Sequence, residues 1–128
     1  MEYFWIGLIA IIVIWFVYRK IQMRKFELEP TELHDKLQRV PRPMLLDVRT
    51  QSEYDSGHLK NAKNIPAMQL RHKLNQLEKF KRQEIIVYCQ TGSRSATIVR
   101  LLDRYGLNVS HLKGGLVAYN SYLNSRES

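Results

Sequence analysis

The 128-residue sequence predicts an α/β domain, a parallel sheet with helices on both faces, preceded by one transmembrane helix. Short apolar segments of strand length alternate with amphipathic segments of helical spacing, which is typical of parallel sheets. The segment Glu84–Tyr88, EIIVY, is apolar on both faces, as in a central strand buried from two sides. We therefore divide the chain into an anchor with a basic juxtamembrane segment, residues 1–25, and a folded domain, residues 26–128.

The stretch Tyr3–Tyr18 has the composition of a membrane-spanning helix. It reads YFWIGLIAIIVIWFVY, without charge and with aromatic residues at both ends. At about 1.5 Å per residue it is roughly 24 Å long, and snorkelling of Arg19 and Lys20 extends it toward a hydrocarbon core of about 30 Å. A cleaved signal sequence is the alternative, but Glu2 stands where such a segment is basic, and no small-residue cleavage pattern follows.

The residues after this stretch predict its orientation. Arg19, Lys20, Arg24 and Lys25 follow it directly, and basic residues favour the cytoplasmic side of a membrane. The chain has one cysteine, Cys89, so it cannot form an intrachain disulfide, which favours a reducing compartment. We expect a single-pass protein of the cell membrane whose domain faces the cytoplasm.

The net charge of +8 does not predict nucleic-acid binding. Residues 1–26 carry +3 of it and the remainder +5, and in the remainder basic residues are interleaved with acids. The histidines have no cysteine or acidic partner at metal-ligand spacing, so we expect no metal ion and no cofactor. They are His34, His58, His72 and His111.

The first half of the domain contains a predicted helix, strands and a turn. The helix begins at Pro30 and ends before Pro41, because Leu33, Leu37 and Val40 repeat at helical spacing. A second helical face is formed by Leu70, Leu74 and Leu77. The short strands and turns are predicted at Phe26–Leu28 (a short segment), Met44–Val48 (a strand), Gln51–Gly57 (a turn or brief helix) and Asn64–Pro66 (a short strand).

The second half repeats the alternation. Ile98, Leu101, Leu102 and Tyr105 lie on one helical face, and Gly106 is a helix stop. A strand at Val109–Leu112 and a last helix after a Gly-Gly pair follow. That helix carries Leu116, Tyr119 and Leu123 after Gly114 and Gly115.

The loop after the central strand carries the chemistry. Cys89 is followed by Gln90, Thr91, Gly92, Ser93, Arg94 and Ser95, and then by the amphipathic helix. Backbone N–H groups in such a loop can form a nest for an anion at the positive end of the helix dipole. The glycine allows a positive φ, and the three hydroxyl residues can add donors. This environment should lower the thiol pKa below the free value of about 8.5 and make Cys89 nucleophilic.

A buried structural cysteine is the alternative interpretation of Cys89. The loop speaks against it, because a glycine, three hydroxyl residues and an arginine gathered after a buried strand serve no packing purpose. We therefore interpret Cys89 as the reactive centre.

Three segments of the domain resemble the rhodanese-like family of single-domain sulfurtransferases. Leu45–Pro66 is similar to the family's first conserved block, Val87–Leu102 to its active-site block and Leu112–Asn120 to its closing block. Many relatives have tryptophan where Tyr119 stands. The resemblance covers nearly all of the chain after the anchor and implies a five-stranded parallel sheet of the rhodanese type.

The resemblance also implies a reaction. The cysteine that matches Cys89 takes a sulfane sulfur from a small donor such as thiosulfate, becomes a persulfide, and passes the sulfur to a thiol, cyanide or a protein acceptor. The backbone from Gln90 to Ser95 would hold the terminal sulfur, and Arg94 would help to bind an anionic donor. Asp47 and Arg49 match residues that support the site.

Two supporting residues have alternative interpretations. A surface ion pair between Arg49 and Glu53 is the alternative to a supporting role for Arg49. We interpret His58 as structural, because a loop that itself stabilises the thiolate requires no base.

Two other functions compete with sulfur transfer. Cysteine phosphatases of related fold place five residues between cysteine and arginine, whereas four residues separate Cys89 from Arg94. The resemblance to the rhodanese-like family implies that this shorter loop makes a pocket sized for a sulfur atom and not for a phosphate group. The second alternative is a membrane-tethered regulatory or redox-sensing module, against which the retention of both Cys89 and Arg94 argues. The oligomeric state stays open.

Overall fold

The computed structural model describes residues 1–127 and confirms the parallel sheet. All neighbouring strands are parallel and follow the order β1-β5-β4-β2-β3. The buried segment EIIVY is the central strand, as its two apolar faces predict. The strands are β1 (Glu27–Leu28), β2 (Met44–Asp47), β3 (Lys63–Asn64), β4 (Glu84–Tyr88) and β5 (Asn108–Leu112).

Helices cover both faces of this sheet. The first face packs against α4, a 3₁₀ helix and α5, and the second against α2 and α6. The helices are α1 (Glu2–Arg24), α2 (Pro30–Leu37), α3 (Gln51–Asp55), α4 (Ala67–Leu70), the 3₁₀ helix (Leu74–Phe80), α5 (Ser93–Arg104) and α6 (Gly115–Glu127).

Side chains of β4 alternate between the two cores. Ile85 and Val87 join the core under α5, whereas Ile86 and Tyr88 join the core under α2 and α6. Cys89 continues this alternation and belongs to the core under α5. The strand period therefore directs the sulfur toward the helix that follows it.

The helix predicted to run up to Pro41 ends earlier than its apolar spacing indicates. It stops at Leu37, and Val40 is 90% exposed, so the prediction was wrong for the last turn. Val40 precedes a proline, which disfavours the helical conformation at that residue. Similarly, β3 is Lys63–Asn64 instead of Asn64–Pro66, since Pro66 has no N–H to donate to the sheet.

The helical face predicted from Leu70 to Leu77 is divided between two short helices. Leu70 ends α4, and Leu74 begins the 3₁₀ helix after a break at Lys73, yet Leu70 and Leu77 are both fully buried in the same core. Leu74 and Leu77 are three residues apart, a spacing that fits the period of three of a 3₁₀ helix as well as an α-helix.

The N-terminal helix α1 lies outside both cores. None of its residues is buried, and its large apolar side chains are exposed. Over 23 residues it is long and apolar enough to cross a membrane.

Candidate active site

The candidate site lies at the carboxyl ends of β2 and β4, in the middle of the sheet. From β2 the chain continues to the edge strand β3, and from β4 it continues to β5 on the other side. Open parallel sheets bind ligands at such a switch point. A bond from Val48 N–H to the Tyr88 carbonyl, 3.1 Å between N and O, holds the two strand ends together.

Three hydrogen-bonding groups lie within 3.5 Å of the Cys89 sulfur. The N–H groups of Gly92 and Ser95 lie with their nitrogens 3.0 and 3.4 Å from Sγ. Ser95 Oγ lies 3.5 Å from Sγ. Gly92 adopts φ +98°, a left-handed conformation that glycine tolerates, and precedes the first turn of α5. The sulfur therefore lies at the positive end of the α5 dipole.

These donors favour the thiolate over the thiol. Burial of Cys89 raises its pKa, but the hydrogen bonds from the Ser95 hydroxyl and from the N–H groups of Ser95, Gly92 and Thr91 outweigh burial and lower it. This is the direction that the loop sequence predicts. Cys89 is also completely buried, so the surrounding side chains must move before a sulfur donor can reach it.

The three hydroxyl residues of the loop do not contribute equally. Thr91 and Ser93 are exposed, whereas Ser95 is fully buried against the sulfur. Ser95 Oγ also lies 3.2 Å from the Gly92 carbonyl and 3.4 Å from Nδ1 of His111. His111, on β5, was missed by the sequence analysis. Its spacing of two residues from Val109, on the same face as Cys89, is the signal that could have found it.

Asp47 and Arg49 form a buried pair beside the loop. The Arg49 guanidinium donates to both carboxylate oxygens of Asp47, with a shortest N–O distance of 2.8 Å. It also donates to the Gly57 carbonyl at 2.6 Å and to the Gln90 side chain at 3.1 Å. Arg49 is 3% exposed and does not pair with Glu53, so the surface-pair alternative was wrong. The Arg49 side chain instead ties β2 to the first residue after Cys89.

Arg94 pairs with Glu53 across the site. Two bonds of 2.8 and 3.0 Å join its guanidinium to the carboxylate, and both side chains are about one-third exposed. The Arg94 hydrogen bond, together with donors on Thr50, holds the Glu53 pKa at about 2. At neutral pH, Glu53 is therefore ionised and pairs with the Arg94 guanidinium. The resemblance assigns that same guanidinium to binding of the anionic sulfur donor.

Gly115 allows the start of α6 to lie directly on the cysteine loop. The N–H groups of Leu116 and Val117 donate to the carbonyls of Cys89 and Gln90, at 2.9 and 3.1 Å. Gly115 has φ +66°, and a Cβ on it would lie 2.5 Å from the Gln90 oxygen and 2.7 Å from the Cys89 oxygen. Gly115, the second residue of the Gly-Gly pair, thus allows α6 to hydrogen-bond to the backbone of the cysteine loop.

Two clefts flank the loop. A cleft of about 560 Å³ reaches Gln90 on one side, and another of about 400 Å³ reaches Ser93 and Arg94 on the other. His58 lines the first cleft, exposed and stacked on Tyr54 at 3.7 Å between ring centroids. Within residues 1–127, no three His, Cys, Asp or Glu side chains are grouped so that they could hold a metal ion.

Comparison with known proteins gives consistent family matches. The model of the rhodanese-like domain family matches residues 29–122. The uncharacterized protein YqhL of Bacillus subtilis is 31% identical over 84 residues, which span 65% of this chain and 65% of YqhL. The tRNA uridine(34) hydroxylase of Hamiltonella defensa is 32% identical over 84 residues, which span 62% of this chain and 24% of that enzyme.

A solved structure has the same fold. The rhodanese-related protein of Thermoplasma volcanium superposes with a TM-score of 0.68 and 30% identity, over 75% of this chain and 91% of the other. The family model begins at residue 29, so α1 and the first residues of the domain lie outside the matched region.

Substitution of Gly115 by alanine should distort the cysteine loop. We expect Gly115→Ala to lower the free energy of unfolding by about 1 to 3 kcal/mol and to raise the Cys89 pKa, because the new Cβ displaces the Cys89 and Gln90 carbonyls. Urea denaturation and the pH dependence of Cys89 alkylation measure the two effects.

Gly106→Ala is the matched control, since Gly106 has φ +91° but its nearest neighbour to a new Cβ is the end of Lys81 at 3.9 Å. It should share the backbone strain and leave the Cys89 pKa unchanged. Equal effects of the two substitutions on that pKa would contradict the support assigned to Gly115.

Proposed function

This chain belongs to the rhodanese-like domain family, and we propose that it is a sulfurtransferase that carries a sulfane sulfur on Cys89. The observation that supports this proposal most directly is the convergence of the Gly92 and Ser95 N–H groups and the Ser95 hydroxyl on Sγ. Donors at a helix N-terminus stabilise a sulfur anion, and both the thiolate and the persulfide are sulfur anions. The donor is a small anion such as thiosulfate.

The proposed cycle has two displacement steps. The Cys89 thiolate attacks the outer sulfur of thiosulfate, the S–S bond of the donor breaks, and sulfite leaves with the bonding electrons. The terminal sulfur of the resulting persulfide carries the negative charge. Cyanide or a thiolate then attacks that sulfur, and the Cys89 thiolate leaves. No second cysteine exists in the chain to resolve the persulfide, so the acceptor is external.

We do not propose for this chain the hydroxylase activity in the relative's name. The match spans 24% of the tRNA uridine(34) hydroxylase, so most of that enzyme has no counterpart here.

Loss of Cys89 should abolish sulfur transfer. The fragment from about Phe26 onward should form thiocyanate from thiosulfate and cyanide, and Cys89→Ser should reduce the rate to background while the fold is retained. The small change in side-chain size keeps the loop packed, and circular dichroism checks the fold. Hydrolysis of a phenyl phosphate by a fragment that ignores every sulfane donor would refute the assignment and favour a phosphatase.

Glu53 and Arg94 should control the use of an anionic donor in opposite directions. Arg94→Ala should raise the KM for thiosulfate, because the lost charged hydrogen bond weakens donor binding by on the order of 1 to 3 kcal/mol. Glu53→Gln should lower the KM, because the amide leaves the guanidinium less neutralised while glutamine keeps the capping interaction with Thr50.

Glu78→Gln is the control for charge removal, since Glu78 bonds to Tyr105 away from the loop. It should leave the KM unchanged. An increase in KM for Glu53→Gln would show that Glu53 supports donor binding instead of competing with it.

We also propose that α1 spans the cell membrane once and places the domain on the cytoplasmic side. Its apolar length and the basic residues at its C-terminal end support this orientation. Because Cys89 is fully buried, slow labelling of Cys89 in intact cells would not distinguish burial in the domain from protection by the membrane, so exposed cysteines are required.

In a Cys89→Ser background, Met68→Cys should resist a membrane-impermeant maleimide in intact cells and react after permeabilisation. Met68 is 93% exposed, so accessibility on the protein does not limit the reaction. Glu2→Cys, at the opposite end of α1, should react in intact cells. Labelling of Met68→Cys in intact cells would place the domain outside.

A further inference from the structure

His111 and Ser95 form a buried polar chain that ends at the reactive sulfur. His111 is 5% exposed and lies on β5, beside the central strand. Its Nδ1 lies 3.4 Å from Ser95 Oγ, which in turn lies 3.5 Å from Cys89 Sγ. Burial of an imidazole among apolar side chains costs free energy unless the ring is hydrogen-bonded. In the part of the chain that the structure describes, the Ser95 hydroxyl is the one hydrogen-bond partner of this ring, and Ser95 also contacts the reactive sulfur.

The Ser95 hydroxyl has one hydrogen and three polar neighbours. The neighbours are Cys89 Sγ, the Gly92 carbonyl at 3.2 Å and His111 Nδ1. The carbonyl can only accept. In the structure the Ser95 hydroxyl donates to that carbonyl, and the Cys89 thiol donates to Ser95 Oγ. Once Cys89 is ionised, the charged thiolate competes with the carbonyl for the hydroxyl hydrogen, and an unprotonated Nδ1 would be a third acceptor for it. A protonated Nδ1 instead donates to Ser95 Oγ and removes that third acceptor.

The other ring nitrogen indicates which tautomer is present. Nε2 of His111 is buried and has no hydrogen-bond partner among residues 1–127. A buried N–H without an acceptor is rarely found, so the proton belongs on Nδ1 and Nε2 holds a lone pair.

The ring is neutral in this environment. Burial lowers the pKa of His111, and the charge of Glu27 only partly opposes that effect. Glu27 is the register partner of His111 on β1 and lies 3.8 Å from the Lys113 ammonium, and Cys89 faces the ring across Ser95. A neutral ring with a protonated Nδ1 is a donor to Ser95 and not an acid for the sulfur.

We propose that His111 is a positioning residue, whose Nδ1–H donates to Ser95 Oγ and thereby directs the Ser95 hydroxyl hydrogen onto the Cys89 sulfur anion. The inference rests on the proposed sulfur-transfer function and deepens it, because it adds a side-chain donor to the backbone donors that hold thiolate and persulfide. His111 itself does not touch the sulfur.

The test is the pKa of Cys89 in the full chain, measured from thiolate absorbance and alkylation rate against pH. His111→Leu should lower the alkylation rate threefold to tenfold at a pH below the Cys89 pKa, a pKa increase of roughly 0.5 to 1 unit. His111→Asn should keep the wild-type value, because its amide can donate to Ser95 from a similar position. Val109→Ala, on the same face of β5, is the control and should not move the pKa.

A double substitution tests whether His111 acts on Cys89 through Ser95. In a Ser95→Ala background, His111→Leu should cause no further change, because the group through which it acts is gone. A persistent effect there, or an unchanged Cys89 pKa in His111→Leu with only a lower stability, would overturn the proposal.

The tautomer is measured in the wild-type chain, so the test does not depend on the folding of any variant. Imidazole ¹⁵N chemical shifts should show a protonated Nδ1 and an unprotonated Nε2, and the opposite tautomer would overturn the proposal. Neither readout requires turnover: loss of sulfur transfer with an intact response of the Cys89 pKa would refute the proposed function alone.

Discussion

A sulfur anion at the end of a buried strand must be held by donors that the strand itself does not supply. Here the N-terminus of α5 supplies them, through the N–H groups of Gly92 and Ser95 directed at Cys89 Sγ. Burial alone raises the pKa of the thiol, so without these donors the same position would hold an inert cysteine. The other features of the site serve to keep this short loop in place.

Side chains from β2 and backbone hydrogen bonds from α6 both hold the cysteine loop in place. From β2, the Arg49–Asp47 pair reaches the Gln90 side chain, while the Asn64 amide donates to the Asp47 and Arg49 carbonyls at 3.0 Å. Removal of one partner would leave an uncompensated buried charge, which typically costs about 3 to 5 kcal/mol. From α6, Gly115 allows backbone bonds to the carbonyls of Cys89 and Gln90.

The features that the sequence predicted well are those set by neighbouring residues. Strand β4, the loop and α5 follow one another within a short stretch, and the apolar alternation of β4 alone directs Cys89 to the α5 side. Gly106 likewise ends α5 as its position predicts, with φ +91°. Here local pattern and tertiary environment agree.

The features that the sequence did not predict depend on contacts between distant segments. Glu53 and Arg94 are 41 residues apart, and nothing in either segment indicates that they pair. His111 lies on a different strand from Cys89, and only its spacing of two residues from Val109 indicates which face of the sheet it occupies. Val40 had the right spacing for a helix face, but the proline after it ended the helix first.

The central claim is that Cys89 carries sulfur as a persulfide, and the mass of its peptide tests that claim most directly. Protein isolated without reductant and treated with thiosulfate should yield a Cys89 peptide heavier by one sulfur atom, and addition of cyanide should return it to the unmodified mass. An unchanged peptide at every stage, or a product that is chiefly a disulfide between two copies of Cys89, would contradict the account and favour a redox-sensing module.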